Sequence, residues 1–447
     1  MENRFHCEVP SMTRYAVLLP LLASLSFAAP TPEPLHAQAA CNPRENRHCG
    51  EIRRMAGQPA IRRAFEFIER TDERATRDLI TLTEIPAPPF KEEERARHFA
   101  EMLREAGADS VYLDEVGNVI AVRKGRASAR TVLIEGHLDT VFPEDTDVTV
   151  RMRGDTLFAP GIGDDTRGLV VVLQVLRAMN AAAIRTAGDV LFVGTVGEEG
   201  LGDLRGVKHL FREGARPIDS YIAVDGGEET RISVQGIGSH RYRVTYRGPG
   251  GHSWGAFGTA NPIHAAGRAI RIFDEGADRF TRSHARTTYN VGRIGGGTSV
   301  NSVAFEGWLE VDMRSEEDAS LQGIDSIFRA AVQQALEEQN AVARRGEMLT
   351  VDAEMVGNRP SGRVDPRAPL VQRATAVVQQ FGREPVLGSG STNSNIPFSL
   401  GVPSVTIGRG GQGGDAHALT EWWLNENGHV AIQQALLLVV AEAGLAR

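Results

Sequence analysis

Between residues 131 and 227 the chain lays down three short apolar runs, "TVLIEG", "DVLFVGTVG" and "SYIAVDGG", with helical stretches between them. Each run is too short for a helix and shows no polar stripe, so it reads as a strand buried on both faces. Strands separated by helices need crossover connections, which build a mainly parallel sheet covered by helices on both sides. The connecting helices are "GLVVVLQVLRAMNAA" and "GVKHLFREG". Upstream, apolar residues recur at helical spacing from Pro59 to about Thr83 and from Glu92 to about Ala106, where Gly107 ends the pattern. "SVYLDEVGNVIAVRKG" reads as a hairpin turning at Gly117-Asn118.

The pattern changes after Gln235. "SHRYRVTYRG" alternates like a half-buried strand, "NPIHAAGRAIRIFDEG" is an amphipathic helix, and "TTYNVGRI" and "SVAFEGWLEVDMRS" are strands. A long helix, "LQGIDSIFRAAVQQALEEQNA", and a last strand, "EMLTVDAEMV", complete a β-α-β-β-α-β order, the ferredoxin-like plan. The helices "LVQRATAVVQQF" and "HVAIQQALLLVVAEAGL" then return to the first pattern, so the middle unit reads as an insertion. A chain of 447 residues exceeds one ordinary core. The expected plan is a signal peptide at 1–39, a tail at 40–58, a catalytic domain at 59–237 and 357–447, and an inserted domain at 238–356.

The N-terminus carries Arg14, then a mostly apolar run from Ala16 to Ala29, a Pro-rich stretch, and Ala37-Gln38-Ala39. That is the layout of a secretory signal cleaved before Ala40, with Met12 as a second candidate start. The apolar run is short for a membrane span and contains Pro20, so no membrane attachment is expected after cleavage. Cys41 and Cys49 remain, able to close a small loop in an oxidising compartment and too few for a structural zinc site. A net charge of −8 without a Lys/Arg stripe argues against a nucleic-acid surface. The expected location is secreted or periplasmic.

Polar residues collect where strands end. "VLIEGHLDT" places His137 and Asp139 two apart, on one side of an extended chain, so Asp139 can accept the second ring N–H of His137. Asp164 and Asp165 precede a helix, Glu198 and Glu199 follow one strand, Asp225 follows another, and His417 lies in a Gly-rich loop. Each alone has an ordinary explanation as a cap, a solvated charge or a turn residue. Together they fall at the carboxyl ends of strands, where open α/β sheets build their sites. Two histidines with several carboxylates form an N/O donor set suited to catalytic zinc.

"GHLDT", "GIGDDTRG", "EEGLGDLRG", "VDGG" and "GGDAH", in this order, resemble the motifs of one family. It is the dinuclear zinc metallopeptidase family of acetylornithine deacetylase, succinyl-diaminopimelate desuccinylase, glutamate carboxypeptidase and tripeptide aminopeptidase. The resemblance spans essentially the whole chain after the signal and implies a zinc-exopeptidase-like α/β domain with an inserted ferredoxin-like dimerisation or lid domain. It also implies two divalent ions per chain, zinc first, with manganese or cobalt as alternatives. His137 and Asp225 would be terminal ligands of one ion, Glu199 and His417 of the other, and Asp164 the bridge. Asp139 would orient His137, and Glu198 would be the general base. In "GPGGHSWG", His252 would reach the site of a partner subunit in a homodimer. Asn301, Arg314, Thr392 and Asn393 would contact substrate, a small peptide or N-acyl amino acid.

The sequence departs from the family pattern at Arg167, where a small residue is usual. Asp at 225 leans towards aminopeptidase or dipeptidase action. The alternatives are an N-acyl-amino-acid deacylase or carboxypeptidase of the same family, and, from another class, a non-catalytic peptide- or metal-binding member. The intact Glu198 speaks against the last.

Overall fold

A computed structural model describes residues 41–42, 46–128 and 130–446, so the expected signal peptide lies outside the described residues. Among them, nine strands form the main sheet, in the order 110–113, 119–123, 189–195, 131–137, 220–226, 404–408, 231–236 and 362–363, with 386–390 also pairing with 231–236. The central four, 189–195, 131–137, 220–226 and 404–408, run parallel. Antiparallel pairings lie towards both edges. The expected mixed, mainly parallel sheet is the one observed.

Both faces of the central strands are covered, which is why they are apolar throughout. Val132 and Ile134 face the larger core, built with the helices Gly168–Ala181 and Gly428–Ala443. Leu133, one residue out of phase, faces a second core with the helix Arg205–Leu210. Helix Gly168–Ala181 is itself sandwiched between the sheet and outer helices, so residues Gly168 to Met179 are all buried. Its N-terminus sits against two strands. A Cβ on Gly168 would fall 2.2 Å from the Val224 carbonyl oxygen, and one on Gly136 would fall 2.8 Å from the Gly168 backbone. Glycine is required at both positions for the helix to start so close to the sheet.

The segment expected as a tail is part of the core. Cys41 and Cys49 form a disulfide, and Cys49–Ala56 is a helix that packs on Pro369–Gln380. Ile52 and Cys49 are buried there, and the Asn46 side-chain amide donates to the Gln372 carbonyl at 2.6 Å. The apolar pattern from 59 to 83 forms two helices, Pro59–Arg70 and Asp72–Thr83, broken at Thr71, whose hydroxyl donates back to Phe67 O.

The inserted unit runs from strand Gly238–Arg247 to strand Thr350–Arg359, and its antiparallel sheet has the order 287–296, 306–315, 238–247, 350–359. Helices Pro262–Thr281 and Asp318–Ala341 cover one face, closing a core that includes Tyr246, Phe273 and Phe328. This is ferredoxin-like topology. The unit leaves and re-enters the main sheet at adjoining places, since Gly236 pairs with Gly362.

Candidate active site

His137 ends its strand with the ring buried, and Asp139 lies two residues on. The expected hydrogen bond changes its acceptor: His137 Nδ1 lies 2.9 Å from the backbone oxygen of Asp139, while the Asp139 carboxylate is at 3.7 Å. That carboxylate accepts the backbone N–H groups of Glu198 (3.0 Å) and Glu199 (2.7 Å). The chain turns after His137, which brings the carbonyl under the ring and frees the side chain to hold the neighbouring strand end. Either acceptor fixes the tautomer with Nε2 facing the cleft.

The Asp164 loop is clamped from a distance. Glu421 accepts backbone N–H groups from Gly161 (2.7 Å), Gly163 (2.9 Å) and Asp164 (2.9 Å). A small antiparallel sheet pairs strands 156–158 and 422–424, so the loops carrying Asp164 and His417 are forced together. Asp165 turns the other way, and its Oδ2 accepts the His137 backbone N–H at 3.0 Å.

The result is two groups sharing one residue. Asp164 Oδ1 lies 3.3 Å from His137 Nε2, and Oδ2 lies 3.3 Å from His417 Nε2. Asp225 Oδ1 completes the first group, 3.9 Å from His137 Nε2, and Glu199 Oε1 the second, 2.9 Å from His417 Nε2. Within each triad the candidate ligand atoms lie within 4.8 Å of one another, and Glu198 joins a third such set with His137 and Glu199. The donors are imidazole nitrogens and carboxylate oxygens in a half-buried, strongly anionic setting, which fits divalent cations. Burial followed by the charge of Asp164 pushes the Asp225 carboxyl well up. Burial alone would lower His137, yet Asp164, Asp165, Asp225 and Asp139 hold it well above its ordinary value. Contacts with Asp164 and Glu199 raise His417 to about 10.

Glu198 stands beside the shared residue. Arg359 donates to its Oε1 at 2.9 Å and also to its backbone carbonyl. Burial pushes the Glu198 carboxyl up and Arg359 opposes the rise. Asp164, Glu198, Glu199, Asp225, Arg359 and His417 line a cleft of about 580 Å³ that also carries Arg231, Arg241, Arg314 and Thr392.

Two of the four expected substrate residues, Asn393 and Asn301, lie elsewhere. Asn393 is buried behind the sheet ends, donating to Thr195 Oγ1 (2.8 Å) and to one oxygen of the buried Glu135 carboxylate, Oε2 (3.2 Å). Asn301 is exposed on the inserted unit, its carbonyl accepting the Ser253 N–H at 2.9 Å. His252 is also exposed there and outside the chain's own cleft. Arg167 points away from the carboxylates: it stacks on Trp423 and donates to the carbonyls of Gly428 and Arg409. Sequence reasoning missed Arg359, Arg409 and Glu421, which become site residues only through contacts more than 150 residues apart along the chain.

The profile of "Peptidase family M20/M25/M40" matches residues 133–440. The chain belongs to that family. It is thus a metallopeptidase or amidohydrolase by membership. It is 28% identical over 347 residues to a Pyrococcus abyssi protein provisionally named LysW-lysine/LysW-ornithine hydrolase, covering 74% of this chain and 82% of the relative. The solved dipeptidase Dug1p of Saccharomyces cerevisiae aligns over 86% of this chain and 98% of its own, with a TM-score of 0.68 and 14% identity. The Bacillus subtilis protein YXEP, described as a dinuclear metal-binding peptidase, aligns over 84% of this chain and 99% of its own at TM-score 0.59 and 17% identity.

Proposed function

We propose that this chain hydrolyses an amide bond at the end of a small peptide, using two divalent ions held by His137, Asp225, Glu199, His417 and the shared Asp164, with Glu198 as general base. The carrying observation is that the two oxygens of one carboxylate, Asp164, face two histidines from opposite sides at 3.3 Å each. The naming of a relative as a dinuclear metal-binding peptidase supports the same reading. Zinc suits the N/O donor set; manganese and cobalt suit it too.

Ions bound there supply Lewis acidity towards the amide carbonyl and towards water. Glu198 then takes a proton from the attacking water and returns it to the leaving nitrogen, so that the broken C–N bond ends as a carboxylate and an amine. Its backbone is fixed by Asp139 and its carboxylate by Arg359, which leaves little freedom to lose on reaching the transition state. Arg314, planar and positively charged in the same cleft, suits a substrate carboxylate. The dipeptidase among the relatives supports a peptide substrate.

His252 lies beside exposed Trp254 and Phe257, on a unit whose edge strand Thr287–Gly296 is unpaired on one side. These features support a homodimer in which His252 serves the partner's cleft. The Cys41–Cys49 disulfide supports export to an oxidising compartment. The test is a panel of dipeptides, tripeptides and N-acyl amino acids presented to metal-loaded and chelator-stripped protein. Equal turnover by both forms would overturn the reading.

A further inference from the structure

Arg409 stands in the run Gly408-Arg409-Gly410-Gly411, directly after strand Ser404–Gly408. Its backbone N–H donates to the Gly226 carbonyl at 3.1 Å, which seats the side chain beside Asp225. Nη1 lies 3.3 Å from Asp164 Oδ1 and 3.6 Å from Asp225 Oδ1. It also lies 3.6 Å from Asp165 Oδ1, a buried oxygen with no hydrogen-bond partner.

Asp164 Oδ1 and Asp225 Oδ1 are the same two oxygens that face His137 Nε2. A guanidinium therefore already shares the carboxylates of one of the two ion positions. At the other position Arg359 stands nearby but bonds Glu198, not a ligand oxygen. Asp164 Oδ2 and Glu199 Oε1 face His417, and among the described residues no arginine or lysine nitrogen lies within 4.0 Å of the Glu199 carboxylate. A guanidinium keeps its positive charge throughout the ordinary pH range, so Arg409 is a fixed cation on these oxygens. Its side chain is only 15% exposed, so water screens it poorly.

We propose that Arg409 makes the two ion positions unequal: the Asp164/Glu199/His417 position binds a divalent cation tightly, and the His137/Asp164/Asp225 position binds one weakly and exchangeably. The inference rests on the two-ion reading above. At a few ångströms in a partly buried setting, a fixed positive charge opposes an incoming dication strongly, and a gap of tenfold or more, roughly, follows. The tight ion would then stay through dialysis while the second follows the free metal concentration.

The experiment strips the full protein with chelator and titrates it with cobalt(II), counting bound metal by equilibrium dialysis and elemental analysis. Two ions with dissociation constants separated by roughly tenfold or more support the proposal. Arg409→Met should tighten the weak position by roughly tenfold and the strong one far less, whereas Arg409→Lys, which keeps the charge, should retain the gap. Two ions of equal affinity in the unmodified protein would overturn the inference while leaving the two-ion reading intact, and this measurement needs no variant to fold. An unchanged gap in Arg409→Met, or a lost gap in Arg409→Lys, would overturn the charge argument. Failure to bind any ion would overturn the underlying reading itself.

Discussion

Arg95 offers the sharpest test of how the site is held, because it is fully buried and does not line the cleft. Its Nε donates to Ile85 O at 3.0 Å, Nη1 to Leu138 O at 2.9 Å, and Nη2 to Thr83 O at 3.3 Å. Leu138 separates His137 from Asp139, so this one guanidinium ties helix Glu93–Glu105 to the site turn and to the loop after Thr83. Arg95→Met removes donors from three carbonyls. At about 1.5–3 kcal/mol for each bond to a charged donor, the loss is about 4.5–9 kcal/mol if all three stay dry. The substitution also relieves a cost, because burial lowers the Arg95 pKa from the ordinary arginine value to about 10. At about 1.36 kcal/mol per pKa unit, that relief is about 3 kcal/mol. The net expectation is a destabilisation of roughly 1.5–6 kcal/mol, measured by denaturant unfolding of the metal-free protein. Arg95→Lys should recover little, since one ammonium cannot reach three carbonyls spread around a planar fork. A variant within about 0.5 kcal/mol of the parent would show that water or a local shift satisfies those carbonyls, and would refute the bracing argument.

Glu198→Gln should keep metal and lose turnover by roughly 10²–10⁴, while Glu199→Ala should lose metal; assays of metal content and rate that exchange these outcomes would reverse the two roles. His252→Ala should fold and bind metal but be nearly inactive, and mixing it with Glu198→Ala should restore activity in heterodimers; no recovery on subunit exchange would place His252 outside the partner's site. Gly168→Ala puts a Cβ 2.2 Å from the Val224 carbonyl oxygen and should cost at least about 1–3 kcal/mol by chemical denaturation, because backbone must move. Asp325 is buried, yet His240, Tyr242 and Arg329 hold its carboxyl below the ordinary value. Its contribution is therefore present above the unfolded carboxylate pKa near 3.9 and is lost as pH falls through the lower folded value; acid unfolding curves of Asp325→Asn should lack that part of the loss.

Much of the architecture is local in origin and therefore legible in the sequence. Val132, Leu133 and Ile134 are apolar in succession, which suits only a strand covered on both faces, and the alternation from Gly238 to Arg247 suits only a sheet with one covered face. Strand ends then dictate where His137, Glu198, Glu199 and Asp225 can stand, because a strand delivers its last residues to one edge of the sheet. Chain geometry also decides that Asp164, not Asp165, faces the cleft.

The rest depends on distances across the fold. Whether Asp139 meets the His137 ring by its carboxylate or its carbonyl turns on how tightly the chain bends after the strand, and residue spacing carries no record of that. The family resemblance implies a substrate contact at Asn393; only the packed sheet shows that the buried Glu135 claims it. Cys49 and Ile52 looked like part of a tail because a short helix bears too few apolar residues to declare a partner, and Pro369–Gln380 becomes that partner only after the whole sheet has formed. Arg359, Arg409 and Glu421 read as ordinary loop and strand-end charges. Their meaning comes from carboxylates and backbone amides brought beside them by tertiary packing, because Coulomb forces and hydrogen bonds act through space and sequence records only the order of residues along the chain.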